Sequence, residues 1–369
     1  MSDLLLRCVA LVLSLWVTAC GGGGAASAGG SPSSVDLQNL GDKINLADGS
    51  SLGSAPSSTE TTSLRALFVE QARNGYSKTA PASVFWTRKV TLASPFSTRI
   101  DGNANGSTRL TVQDPGHGAR TGDTVTISNT TAPVNGLPAE NLNGTFTITY
   151  ISADTYSLTV PGNATSNGPA LAAGAVLTYR LLECLGSYSY VQTPVKFPDP
   201  YDPDPAKREP LVMFERQSVG YAKYTVISEL NGCSPGSAKI LTTRYFNKDY
   251  TWLGEYVTDQ DYSVVDGELS LPDTPMKSGD AGPLGTVRTY TSKTRQTYMG
   301  RADLSYEVRP DTGNSVFILV TQELYDAYDR LRLRETTVYG RSSDAAKGYQ
   351  LLRIDARYNN SRQTHVVIQ

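Results

Sequence analysis

From Leu211 to the C-terminus, the chain is an almost unbroken series of short runs in which apolar and polar residues alternate. Such runs fall at 222–230, 238–246, 286–291, 304–308, 315–321, 331–339 and 349–358. Turn residues separate them, as in Asn231-Gly232, Asp266-Gly267 and Asp311-Thr312-Gly313-Asn314. A period of two puts alternate side chains on opposite faces of a strand. Successive strands at this spacing, with no helical stretch between them, argue for a mainly β fold, an antiparallel sandwich or barrel. The residue types agree: 21 Tyr against 8 Phe, with abundant Thr and Val, favour strands over helices.

Upstream of this series the pattern changes twice. Leu64, Leu67 and Phe68 fall at i, i+3 and i+4, Ala72 continues the stripe and Asn74-Gly75 is a stop signal, so 63–76 reads as one short helix that packs on the main domain. Residues 84–92 read as a strand. Residues 95–178 then lose charge and gain Gly, Asn, Thr and Ser. Four runs there, at 109–112, 124–127, 145–150 and 155–160, put apolar residues on one face and Thr or Ser on the other. Asn143-Gly144 suits a type I′ hairpin turn, and the stretch reads as a small barrel or sandwich on its own. Because the strand pattern resumes at 175–179, we read 95–178 as a module inserted into a main domain made of 61–94 and 179–369. The alternative is separate domains in series.

The motif order inside the insert resembles a repeat of phage tail proteins and bacterial surface proteins, catalogued as like the first catalytic cysteine half-domain of ubiquitin-activating enzymes. The matching residues are Gly116-His117-Gly118, Thr121-Gly122-Asp123-Thr124-Val125, Asn143-Gly144-Thr145-Phe146 and Asp154-Thr155-Tyr156-Ser157-Leu158. The resemblance implies a structural unit without ubiquitin chemistry. At the other end, Arg7 precedes a dozen apolar residues that close on Val17-Thr18-Ala19-Cys20, an export-signal pattern too short to span a bilayer. Val17 to Cys20 resembles the lipobox of bacterial lipoproteins. This implies a signal peptide over 1–19, an acylated Cys20 and anchorage in a membrane; the alternative is an ordinary signal peptide with an incidental cysteine. Gly21 stands where aspartate would resemble an inner-membrane retention signal, so the outer membrane is the expected address. Residues 20–60, rich in Gly, Ser, Thr and Pro, read as a disordered tether. The C-terminal region loosely resembles uncharacterised β-proteobacterial lipoproteins through Asn231-Gly232-Cys233, Tyr245-Phe246-Asn247 and Tyr250 with Leu253-Gly254.

Candidate chemistry is sparse. With Cys8 in the signal and Cys20 acylated, Cys184 and Cys233 remain, and an exported chain would join them as a disulfide; two buried thiols are the alternative. Two histidines, His117 in a Gly-His-Gly turn and His365 as a solvated strand position, support neither a catalytic triad nor a zinc site. Asp199, Asp202 and Asp204 lie in a Pro-rich loop without the EF-hand pattern, so no metal or cofactor is expected. A net charge of -2 argues against nucleic acid. Arg330, Arg332 and Arg334 alternate along one strand and are a candidate site for an anionic glycan or headgroup; the simpler reading pairs them with acids such as Asp329 or Glu335. Fourteen tyrosines follow Leu211, which suits either sugar stacking or strand packing. The expectation is a non-enzymatic, outer-membrane-anchored lipoprotein presenting a β scaffold for envelope structure or for a protein or glycan partner. The alternatives are a surface adhesin or glycan-binding module, and a periplasmic hydrolase using paired carboxylates.

Overall fold

The computed structural model describes residues 63–369 except 93–98, 103–105, 167, 171–173, 234–236, 258–260, 273–274, 311–315 and 342–348. The expected signal peptide, Cys20 and the expected tether therefore lie outside the described residues. Ser63 caps helix α1 (Leu64–Asn74), its hydroxyl accepting from Ala66 N at 3.1 Å. Gly75 ends the helix at φ 67°, where a Cβ would sit 2.5 Å from Gln192 O. Only glycine lets the chain turn so directly into strand β1 (Tyr76–Thr91).

The main domain is an antiparallel barrel of 12 strands. After β1 these are β9 (Val176–Gln192), β12 (Gly220–Asn231), β13 (Ser237–Phe246), β14 (Trp252–Val257), β15 (Tyr262–Val265), β16 (Ala281–Tyr290), β17 (Tyr298–Pro310), β18 (Val316–Asp326), β19 (Leu331–Arg341), β20 (Tyr349–Tyr358) and β21 (His365–Ile368). Each pairs with the next, and β21 returns to β1 from Ala82↔Ile368 to Phe85↔His365; β10 (Met213–Phe214) and β11 (Gln217–Ser218) form a separate two-stranded hairpin before β12. Closure removes the free edges a sandwich would leave. Every alternating run after Leu211 falls within one of these strands, give or take a residue at the ends, whereas the run expected at 145–150 divides between two strands of different sheets, 144–147 and 149–152.

Barrels of about eight strands are filled by their own side chains, and wider ones leave room inside. Here α1 takes up part of that room. Leu64 and Leu67 are fully buried in one core with Val84, Tyr188, Tyr190, Tyr224 and Ile318. Tyrosine supplies much of the remaining bulk, so most of the tyrosines that could have stacked on sugars are packing instead; Tyr201 and Tyr328 stand out in solvent. Arg301, Asp303, Glu307, Arg309, Glu323 and Arg334 decorate the outside. A membrane-spanning barrel has the opposite arrangement, apolar outside and polar within. Among the described residues, no helix is long and apolar enough to cross a membrane.

A disulfide joins Cys184 in β9 to Cys233 beyond β12, with Cα atoms 5.7 Å apart. Its sequence separation of 49 corresponds to about 4 kcal/mol in the chain-entropy picture.

β1 and β9 continue past the barrel core as a paired ribbon, from Phe85↔Leu182 to Thr91↔Val176, and the insert hangs from it. In the insert, β2 (Arg99–Gly102), β3 (Arg109–Gln113), β6 (Thr149–Ser152), β7 (Thr155–Thr159) and β8 (Gly168–Ala170) form one sheet. β4 (Thr124–Ser128) pairs with β9, and β5 (Gly144–Thr147) with β4. This corrects the expectation of a unit on its own: β9 supplies part of its sheet, and Leu177, Tyr179 and Leu181 belong to its core with Leu110, Ile127 and Leu158. Asn143-Gly144 is not a hairpin turn either. Asn143 follows the short helix α2 (Ala139–Leu142) at φ -80°, and its side chain bonds both Thr130 N and Thr130 O at 3.0 Å, which fixes it outside the left-handed region.

A cationic cleft between barrel and insert

The ribbon sets the threonine face of the insert beside the outer wall of the barrel. Across β5, β4 and β9 the register aligns Thr145, Thr126 and Thr178, with Thr126 and Thr145 hydroxyls 2.8 Å apart. Two residues along, Thr124, Arg180 and Thr87 align across β4, β9 and β1. On the barrel, a second row runs Glu323, Arg334, Arg357, His365 and Phe85 across β18, β19, β20, β21 and β1. Between them lies a cleft of about 560 Å³, within the range of small-ligand sites. Arg180, Arg334 and Arg357 line it together with His365, and among the described residues no carboxylate does.

The acids stand behind the cations. Asp355 Oδ1 accepts from Arg357 Nε at 3.0 Å, its Oδ2 accepts from Arg353 Nη2 at 3.1 Å, and His365 Nε2 lies 3.0 Å from the same Oδ2. Burial raises the Asp355 pKa, but His365 and the two guanidiniums outweigh it and hold the carboxyl well below its usual range. Arg180 stacks 3.5 Å over the Phe85 ring and donates from Nε to His365 Nδ1 at 3.3 Å. An accepting Nδ1 leaves the proton on Nε2, toward Asp355. Burial, with Arg180 and Arg357 nearby, lowers the His365 pKa against the pull of Asp355, so the ring is neutral at pH 7. Arg180 thus faces the cleft with a neutral ring as its near neighbour. Burial, reinforced by Arg353 and Arg357 and only partly opposed by Asp355 and Asp123, brings its pKa down to about 10. His365 is not the solvated position expected, since its side chain is 14% exposed.

The insert is locked to the ribbon by buried polar contacts. Asp114 accepts from Tyr179 Oη at 2.6 Å and Arg88 Nη2 at 3.0 Å, and Tyr156 Oη meets Tyr179 Oη at 2.9 Å. Asp123 Oδ1 accepts from Leu182 N and its Oδ2 from Arg120 N. His117 braces the Gly-His-Gly turn: Nδ1 accepts from Ala119 N, and Nε2 reaches Ser152 O at 2.9 Å.

Of the arginine stripe in the sequence, only Arg334 enters the cleft. Arg330 and Arg332 both grip Asp326, Arg334 grips Glu323, Asp329 pairs with Arg301, and Glu335 points into the barrel. The acids proposed from sequence, Asp329 and Glu335, are therefore the wrong partners: strand alternation sends Glu335 inward, and the tight turn brings Asp326 back on the arginines. Asp199, Asp202 and Asp204 each accept a backbone N–H two residues on, and among the described residues no cluster suits a metal ion.

The barrel interior holds the other concentration of charge. Arg244 donates to Glu255 Oε2 at 3.2 Å and Gln192 Oε1 at 2.9 Å, and lies 3.6 Å over the Tyr224 ring. Glu335 is buried nearby, its Oε2 without a hydrogen-bond partner among the described residues, and desolvation raises its pKa well above the carboxylate range. The adjoining lumen cavity, about 60 Å³, is bordered by Arg244 but by neither glutamate. It has room for about two water molecules.

No protein-family model matches this chain, and no curated protein does. Among solved structures, a phage phi92 endosialidase aligns with 77% of this chain and 52% of its own, so this chain spans about half of that one. The identity is 13% and the TM-score 0.20, a likeness too slight to carry an argument about either fold or function.

Proposed function

We propose that this protein is a non-enzymatic, lipid-anchored envelope protein whose barrel is a stiff scaffold and whose junction cleft binds an anionic partner. The observation that carries the reading is the lining of the cleft: three guanidiniums and, among the described residues, no carboxylate. Guanidiniums held in place by acids behind them are suited to forked hydrogen bonds with carboxylate or phosphate groups. Among the described residues no carboxylate lines the cleft, and His365 accepts from Arg180 at Nδ1 and lies against Asp355 at Nε2. This supports binding over hydrolysis. Anchorage at Cys20 to the outer membrane follows from the lipobox resemblance, with the tether holding the barrel clear of the headgroups.

The test is a thermal-shift titration with citrate and polyphosphate at low ionic strength. The expected result is a rise in Tm that salt suppresses and that an Arg180→Gln/Arg334→Gln variant loses. An equal rise in that variant would overturn the cleft as the site. For the anchor, a Cys20→Ala chain is expected to leave the detergent phase for the aqueous phase; retention in detergent would contradict acylation.

A further inference from the structure

The cleft does not end at the insert. Arg334 and Arg357 also border a second hollow, of about 590 Å³, on the outer face of β16 to β20. Glu307, Glu323 and Asp355 line this hollow too, each paired with an arginine, Arg309, Arg334 and Arg357 in turn. Along its floor the register aligns Ser305, Thr321 and Thr336, one outward row beside Arg334 and Arg357, with Thr321 and Thr336 hydroxyls 3.1 Å apart. A hydroxyl row thus lies on each side of a central cationic patch: Thr145, Thr126 and Thr178 on the insert, Ser305, Thr321 and Thr336 on the barrel.

Resting on the cleft as the binding site, we infer that its ligand is an anionic saccharide chain lying across the strands. Neighbouring strands repeat every 4.7–4.9 Å or so, comparable to the advance of a pyranose along an extended glycan. Each threonine hydroxyl can both donate and accept, as a sugar hydroxyl requires. The guanidiniums at the centre take the acid groups. Leu331 is the one aliphatic side chain on the first hollow, which leaves no trough for acyl chains or a hydrophobic peptide anchor. Nucleic acid would call for a strong basic balance, against a net charge of -2.

The experiment titrates the full Cys20→Ala chain with three probes: oligogalacturonate, neutral malto-oligosaccharide and polyphosphate. Oligogalacturonate is expected to bind, and malto-oligosaccharide to bind at least tenfold more weakly. A Thr126→Val/Thr321→Val variant keeps side-chain volume while removing one hydroxyl from each row. It is expected to weaken oligogalacturonate severalfold and leave polyphosphate unchanged, with circular dichroism confirming the fold. Polyphosphate binding without oligogalacturonate binding, or a threonine variant indifferent to both, would overturn the saccharide class while leaving the cleft in place. Oligogalacturonate binding that survives Arg180→Gln/Arg334→Gln would overturn the cleft itself.

Discussion

Arg244 and Arg180 are both largely withdrawn from water and both stacked on an aromatic ring, yet their surroundings assign them opposite tasks. Arg244 lies inside the barrel against Glu255 and Gln192. Burial works against its charge, but the hydroxyls of Tyr76 and Tyr224 and the Glu255 carboxylate more than offset that, and its pKa is raised. Arg180 lies at the cleft against a neutral imidazole, and its pKa falls. The first is a cation satisfied within the fold. The second is held in place by the fold, and Asp355 and Asp123 do not offset its burial and the neighbouring arginines, which is the condition for attracting an outside anion. Arginine content alone separates scaffold from site nowhere in this chain; the position of the nearest carboxylate does.

That contrast can be broken from either side. The largest effect is expected inside: Arg244→Met leaves Glu255 buried without its counter-ion and should cost about 3–5 kcal/mol, read from urea unfolding. A loss below about 1 kcal/mol would show that the interior pair is not what holds the lumen together. Next is Glu335. Its folded pKa lies above the unfolded value, so its contribution is present below about pH 4.3 and is lost as pH rises through the folded pKa. Glu335→Gln should therefore stabilise the protein at pH 7.5 by roughly 1–3 kcal/mol and change little at pH 4. Equal or lower stability of the variant at pH 7.5 would contradict a neutral, strained Glu335. Asp355 and His365 act with the reverse sign. Both have lowered folded pKa values, so their stabilisation is present at neutral pH and is lost on acidification, beginning as pH falls through about 6.5 for the histidine. The smallest effect should come from Arg180→Gln, a loss of about 1 kcal/mol although its anion binding is lost. A large loss of stability would recast Arg180 as a structural residue like Arg244.

The architecture was legible where the physics is local. The periodicity of 222–230 and 331–339 marks strands that exist, and the Leu64, Leu67, Phe68 stripe marks the helix in the lumen. The short strands at 252–257 and 262–265 were not seen, because neither alternates: Leu253, Gly254 and Glu255 are buried in succession, as are Tyr262 and Ser263. Closure was illegible because it depends on β1 pairing with β21 at the far end of the chain, which no local pattern encodes. The cleft was missed for the same reason. Thr126, Arg180 and His365 come from three distant segments, and the polar face of the 124–127 run read as ordinary solvent exposure. One signal was present. Arg180 is the one charge between Val176 and Leu182, and a charge in such a setting asks for a partner.

The most direct test of the cleft as the binding site is an NMR titration of the arginine Nε–Hε signals in the full Cys20→Ala chain with oligogalacturonate. Saturable shifts are expected for Arg180, Arg334 and Arg357, with Arg244 unmoved. Shifts confined to other arginines, or spread weakly over all of them without saturation, would contradict the assignment of the cleft as the site.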